Sequence, residues 1–402
     1  MPAPTVLPPA AELRAPDPSG FARQALLHAA AVAGRDAPEA DRARRLSAAT
    51  VAALDGAGFA RHFVPRRWGG REGTFSDVVA AAAAVAEGCT SAAWCAVLWA
   101  AHGRFASFLP GAAQEEIWAS SPDTRIAAAL APAVSRARAV EGGWDLEGDW
   151  APVSGIRHAH WVLLAAPTHG AGPSRTVLFA VPGASVTVRD TWNSTGLRGT
   201  GSHTVTVRDL FVPEHRAVDL DPVLAGEDPA SRARCHTAPA HLAGGLMFAA
   251  PALGAARAVR DSWTAWASRR GAGALRPLDQ PGMPERLSRA SVDIDSAELL
   301  LRRAAGRADT EEPDGALVAA NRRDAAFGAD RLSDAVDRLF RAGGAHVGDA
   351  DSALQRRWRD VLALASHAVL RPEPAAAAFA RSVGEPRAED AGGAPETARA
   401  RR

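Results

Sequence analysis

The hydrophobic period of this chain changes twice along its length, and that change constrains the fold more than any other feature. Between residues 148 and 216 apolar residues alternate: Val162 and Leu164, then Val177, Phe179 and Val181, then Val205, Val207 and Leu210. A period of two marks half-buried β-strands, and the Gly and Pro clusters between these segments mark turns. On both sides the pattern is helical. Residues 46–59 (LSAATVAALDGAGF) stop at a Gly-x-Gly, and 75–103 reads as two helices divided near Gly88. From His236 onward four stretches return to a 3.6 spacing, 240–269, 284–308, 315–342 and 352–370, with a Gly- and Pro-rich loop at 271–282. A four-helix bundle is the economical reading of those stretches. The expected fold is therefore α+β: an N-terminal helical domain over 21–122, a middle β domain over 123–230 and a C-terminal four-helix bundle over 231–383. The Pro-rich segment 1–20 and the apolar-poor tail 384–402 are expected to be disordered.

Composition narrows the function classes. The 402 residues carry 46 basic and 45 acidic side chains, a formal charge of +1, so no net field attracts nucleic acid or an anionic membrane. No Lys occurs anywhere, which removes Schiff-base and P-loop chemistry. Cys89, Cys95 and Cys235 are odd in number and lack CxxC spacing, so neither a disulfide framework nor a zinc site is expected. The N-terminus lacks a signal-peptide pattern, and the apolar run 78–86 is short of the ~20 residues a membrane span needs. A cytoplasmic protein is expected.

Few side chains stand out as chemistry. Ser154 and Gly155 form a Ser-Gly turn just after Trp150, where a strand ends and a backbone can approach a flat ligand closely. A serine before glycine is equally an ordinary turn dipeptide. His367 follows an apolar stripe of Val361, Leu364 and Ala365 on the last bundle helix, a setting in which a histidine is either a bonded core residue or a reactive group. His102 ends an apolar helix that also carries Trp94 and Trp99, where a helix dipole alone would favour it. His158 and His160 alternate on an expected strand beside Trp161 at a metal-compatible spacing but with no third ligand near them, so no metal is expected. The glycine-rich loop 196–202 (GLRGTGS) lies between strands and does not open a helix, so it is no dinucleotide fingerprint.

Taken in order, GDWAPVSGIRHAHW (148–161), DTWNSTGLRGTGS (190–202) and LFVPEHR (210–216) resemble the middle domain of the acyl-CoA dehydrogenase fold. PRRWGG (65–70), CTSAAWCAVLWAAHGRFASFLP (89–110) and LQRRWRDVLALASHAVL (354–370) extend the resemblance over roughly residues 41 to 381. The similarity is to the oxygenase branch of that fold, the two-component flavin monooxygenases such as the 4-hydroxyphenylacetate, secosteroid and aromatic polyketide hydroxylases. In the dehydrogenases a catalytic Glu commonly lies between the Gly-Gly turn and the last bundle helix; here 343–360 (GGAHVGDADSALQRRWRD) contains none. Asp349 and Asp351 are shorter, and as turn aspartates they suit the cap of the following helix better.

The resemblance implies reduced flavin, FMN or FAD, with dioxygen as co-substrate, a C4a-hydroperoxide, and hydroxylation of a small phenolic or polyketide-type aromatic. It implies that Ser154 protects flavin N5, that His367 supports oxygen transfer, and that His102, beside Trp94 in the substrate pocket, holds or deprotonates a phenol-like hydroxyl. Arg269 and Arg270 would reach a neighbouring subunit's flavin phosphate, and Gly343 and Gly344 would let backbone amides approach the pyrophosphate. A homo-oligomer, a dimer of dimers, follows, as does a separate NAD(P)H:flavin reductase, because no nicotinamide site is present in the sequence. One departure bears on substrate: some phenol hydroxylases place a serine ahead of the β domain, where TRIAAALAPAVS (124–135) is mostly alanine. The same scaffold also supports N-oxygenation of an amino sugar or other amine, a true acyl-CoA dehydrogenase with a displaced base, or a non-catalytic helical scaffold.

Overall fold

The computed structural model describes residues 20–131, 134–169, 175–227, 231, 233–269 and 276–384. The expected disordered ends therefore lie almost wholly outside the described residues, as does Arg270.

The N-terminal region is helical: α1 (Arg23–Ala43), α2 (Ala48–Ala57), α3 (Phe75–Ala86), α4 (Thr90–Ala106) and α5 (Gly111–Trp118). Local sequence sets these boundaries. Ser47 caps α2 by accepting the Thr50 N–H, Thr74 caps α3 by accepting that of Asp77, and Gly58 ends α2 in the left-handed conformation at φ 83°. Helix α4 is buried on nearly every side, which its run of Ala, Trp and Val permits.

Eight strands follow among the described residues: β1 (Ile126–Ala129), β2 (Val134–Val140), β3 (Gly143–Val153), β4 (Trp161–His169), β5 (Thr176–Pro182), β6 (Thr187–Arg189), β7 (His203–Pro213) and β8 (Ala217–Asp219). They form one sheet in the order β6-β7-β3-β2-β4-β5-β8, with β1 added parallel to β4. The alternation predicted strands with one wet face, but residues 162–166 of β4 and 177–181 of β5 are buried on both faces. Val162, Leu164 and Phe179 pack into the core between the halves of the sheet. The intervening Leu163, Ala165, Leu178 and Ala180 pack against Phe105, Ile117 and Trp118 of the N-terminal helices and Leu109 of the connection between α4 and α5. The sheet is thus covered by the helical region, which brings α4 over the end of β3.

After α6 (Leu220–Ala225) and α7 (Arg234–Thr237) come the bundle helices α8 (Ala240–Ala267), α9 (Met283–Thr310), α10 (Gly315–Ala342) and α11 (Ala353–Ala365), then α12 (Pro372–Gly384). Helix α12 was not expected; it packs on α10, with Arg323 4.1 Å over the Phe379 ring. By length and composition α8 is apolar enough to cross a membrane, contrary to the sequence expectation. Its apolar residues are instead spent inside the protein, against α3, α4, α9 and α10, and Gly254 is required there because a Cβ would collide with the Ala83 carbonyl of α3. Ser352 caps α11, so the capping role expected of Asp349 or Asp351 falls to the residue after them. Asp349 accepts the Asp351 N–H in an exposed turn.

Candidate active site

Where β3 ends, Ser154 and Gly155 turn the chain, with Gly155 left-handed at φ 68° and its amide bonded to the Thr200 carbonyl. Trp150, just before the turn, is fully buried and donates its indole N–H to the Ala165 carbonyl of β4, which pins the end of the strand. A Cβ at Gly155 would stand 2.9 Å from the indole nitrogen of Trp99 on α4, so glycine lets the turn meet that helix. The Trp94 indole on the same helix donates to Ser154 Oγ at 3.0 Å. Ser154 Oγ also lies 2.8 Å from Ser202 Oγ, which lies 2.7 Å from Thr200 Oγ1.

Trp94 also links this turn to the bundle. Its ring packs against Phe248 of α8 at 5.2 Å and edge-on to His367 at 5.7 Å, and Phe248 stacks on His367 at 4.1 Å and 20°. Ser154, Trp94 and His367, distant in sequence, therefore converge, and Phe248 completes the wall. His367 is not on the last helix as expected: α11 ends at Ala365, and His367 caps a short turn over Ala368–Leu370. Its Nδ1 accepts the Val369 N–H at 3.3 Å, which leaves the proton on Nε2. Burial lowers its pKa, so the ring is neutral near pH 7 and acts as a donor through Nε2.

His102 sits about 12 Å further along α4 from Trp94, by helix rise. It is buried, and its Nδ1 donates to the Ile126 carbonyl of β1 at 2.9 Å, leaving Nε2 as an acceptor. Desolvation pushes its pKa down to about 4. The two imidazoles are thus both neutral and opposite in hydrogen-bonding sense. His158 and His160 do not alternate on a strand: His158 lies in a short turn over Ile156–His158, and β4 begins only at Trp161. Both face Arg125, whose side chain bonds His160 Nε2 at 2.9 Å and the His158 carbonyl at 2.7 Å. Burial and that guanidinium hold His158 down to about 4.

The remaining expected positions are peripheral within one subunit. Arg269 is exposed beyond the end of α8, bonding the Ala265 carbonyl at 3.2 Å. It stands roughly 30 Å along the helix from Phe248, by helix rise. Gly343 ends α10 with its amide committed to the Leu339 and Phe340 carbonyls, while Gly344, left-handed at φ 61°, has open space beside it. Sequence reasoning missed Phe248, Thr200, Ser202 and the buried Asp360, whose Oδ1 accepts the Leu197 amide at 2.6 Å. Asp360 is driven up to about 7 by burial. The GLRGTGS loop was the available signal for two of these, Thr200 and Ser202.

These side chains suit a flat, amphipathic ring: aromatic walls from Trp94 and Phe248, a hydroxyl oxygen at Ser154, and an imidazole N–H at His367. The order of layers, helical region, sheet and bundle, is the acyl-CoA dehydrogenase fold, and the acyl-CoA dehydrogenase C-terminal domain matches residues 246–372. Relatives extend this over most of the chain. The flavin-dependent monooxygenase oxygenase subunit HsaA of Rhodococcus jostii is 32% identical over 356 residues, 84% of this chain and 92% of the relative. The oxygenase component of an FADH2-dependent resorcinol hydroxylase from Rhizobium is 32% identical over 355 residues, 82% of this chain and 86% of the relative. The structure of XiaF from Streptomyces, in complex with FADH2 and glycerol, superposes with a TM-score of 0.83 at 29% identity, covering 93% of this chain and 96% of that one. The chain belongs to the oxygenase components of flavin-dependent monooxygenases built on this fold, oxidoreductases that use reduced flavin and dioxygen.

Proposed function

We propose that the protein hydroxylates a small phenolic or polyketide-type aromatic, using flavin reduced by a separate NAD(P)H:flavin reductase. The observation that carries this reading is the convergence of Ser154, Trp94, Phe248 and His367 at the junction of sheet, α4 and α8. Bound reduced flavin supplies the activation of dioxygen. Ser154 would accept the hydrogen at flavin N5, and the aromatic walls would exclude water, which limits loss of oxygen as hydrogen peroxide. His367 would donate from Nε2 to the oxygen being transferred. His102, fixed as an acceptor at Nε2 by its bond to the Ile126 carbonyl, would hold the substrate hydroxyl. With a pKa near 4 it is a weak base, better suited to accepting a phenol hydrogen bond than to removing the proton.

The names of the relatives support FADH2 as the natural flavin and a reductase as a second component. The exposed Arg269, remote from Phe248 in its own subunit, supports a flavin site completed by a neighbour and hence a dimer or dimer of dimers. An acyl-CoA dehydrogenase reading finds no support at Asp349 or Asp351, which are exposed.

The test is reductase dependence. NADH alone should give negligible oxygen uptake; adding an unrelated flavin reductase, FAD and a panel of mono- and dihydric phenols should give a hydroxylated product by mass spectrometry. Rapid NADH oxidation by the purified chain alone would overturn the two-component reading. Light scattering should give at least a dimer, and a monomer that binds reduced flavin tightly would contradict the shared site.

A further inference from the structure

The hydroxyls beneath Ser154 form a chain whose direction is fixed at both ends. Thr200 Oγ1 lies 2.7 Å from the Leu197 carbonyl oxygen, which can only accept, so Thr200 must donate there; the reverse would press two lone pairs together. Its one proton is then spent, and Thr200 accepts from Ser202 at 2.7 Å. Ser202, its proton spent in turn, accepts from Ser154 at 2.8 Å. At the far end the Trp94 indole can only donate, and it does so to Ser154 Oγ at 3.0 Å. Ser154 is left with one free lone pair and no proton to give. Thr200 and Ser202 are 2% and 4% exposed, so water does not compete for these bonds. The terminal carbonyl is itself held: Leu197 is left-handed at φ 51°, its amide bonded to Asp360 and its oxygen also bonded by the Trp192 indole at 3.1 Å.

We infer that Thr200 and Ser202 are positioning residues that make Ser154 a pure acceptor, so that the site prefers reduced over oxidised flavin. The inference rests on the reading that Ser154 faces flavin N5. That nitrogen carries a hydrogen when the flavin is reduced and only a lone pair when it is oxidised, so an acceptor-only hydroxyl bonds the first and opposes the second. Thr200→Val removes the last acceptor in the chain. Ser202 then turns its proton to Ser154, and Ser154 is free to donate to oxidised N5. The Leu197 carbonyl keeps its bond from Trp192. Ser202→Ala frees the Ser154 proton directly.

The experiment is the affinity of each purified full-length variant for reduced and for oxidised FAD, measured anaerobically, together with the midpoint potential of the bound flavin. In Thr200→Val and Ser202→Ala the ratio of oxidised to reduced dissociation constants should fall about threefold to tenfold, and the bound potential should fall by about 15–30 mV, at ~30 mV per decade for two electrons. Thr200→Ser, which keeps the hydroxyl, should hold the parental ratio. If Thr200→Val fails to fold, Ser202→Ala carries the same test. Parental ratios in both variants, with a lowered ratio in Ser154→Ala, would overturn the relay and leave Ser154 at N5. A parental ratio in Ser154→Ala as well would overturn that placement too. An equal fall in Thr200→Ser would assign the effect to packing and overturn the inference.

Discussion

Replacing Ser154 by alanine should do more than remove a turn hydroxyl. The Trp94 indole N–H, on a side chain 5% exposed, loses its acceptor, and Ser202 loses its donor. A buried donor left unsatisfied costs about 1–3 kcal/mol, against roughly 1 kcal/mol for an ordinary hydroxyl bond. Most of that cost belongs to the stranded indole, so it should largely vanish when Trp94 is already phenylalanine. A double-mutant cycle of Ser154→Ala and Trp94→Phe, read by denaturant unfolding of the flavin-free proteins with far-UV circular dichroism, should give a coupling of about 1–2 kcal/mol. The same Ser154→Ala protein should release a larger fraction of consumed oxygen as hydrogen peroxide while still making product. Additivity of the two substitutions within about 0.5 kcal/mol would refute the bond and the reasoning built on it.

His367→Ala should slow oxygen transfer itself, by ~10- to 1000-fold for loss of a proton donor of ordinary strength; an unchanged rate of product formation in a folded variant, checked by thermal melt because the lost ring leaves a cavity against Phe248, would make His367 structural. Gly155→Ala meets both a left-handed backbone and the Trp99 indole nitrogen at 2.9 Å, and should cost at least about 1–2 kcal/mol in unfolding experiments; a parental unfolding midpoint would contradict the packing described. Asp360 is raised from 3.8 to about 7 by burial, so the folded protein holds this proton more tightly than the unfolded chain, and the resulting stability is full below about pH 4 and lost as pH rises to about 7. Asp360→Asn should flatten that fall, and identical pH-stability slopes in parent and variant would show that the carboxyl does not titrate as its burial dictates.

The sequence made legible whatever local chemistry dictates. Helices α2 and α3 start at Ser47 and Thr74 because those side chains cap them, and the turn at Ser154 was visible because a strand pattern ends in Ser-Gly. What was hidden depends on distance. The Trp94 bond to Ser154 spans 60 positions, and no local pattern pairs them. Phe248 read as one more apolar residue of a long helix, and only the packing of α8 against the end of α11 turns it toward His367. Both faces of β4 and β5 are buried because the N-terminal helices cover the outer one, so the Leu163, Ala165, Leu178 and Ala180 set carried no polar mark. Helix α12 was missed because Pro372 and Pro374 at its start read as the stop of the preceding helix. The GLRGTGS loop stands out for its glycines, which open no helix, while its Thr200 and Ser202 hydroxyls serve the turn beside it.

The most direct test of the central claim is a single turnover. The protein, loaded anaerobically with photoreduced FAD and a dihydric phenol, is mixed with isotopically labelled dioxygen, and the organic product is weighed. One labelled oxygen atom per product molecule, with no nicotinamide present, is the predicted result. Complete recovery of the label as hydrogen peroxide across the phenol panel, together with anaerobic oxidation of an acyl-CoA thioester by the same protein carrying oxidised flavin, would contradict it.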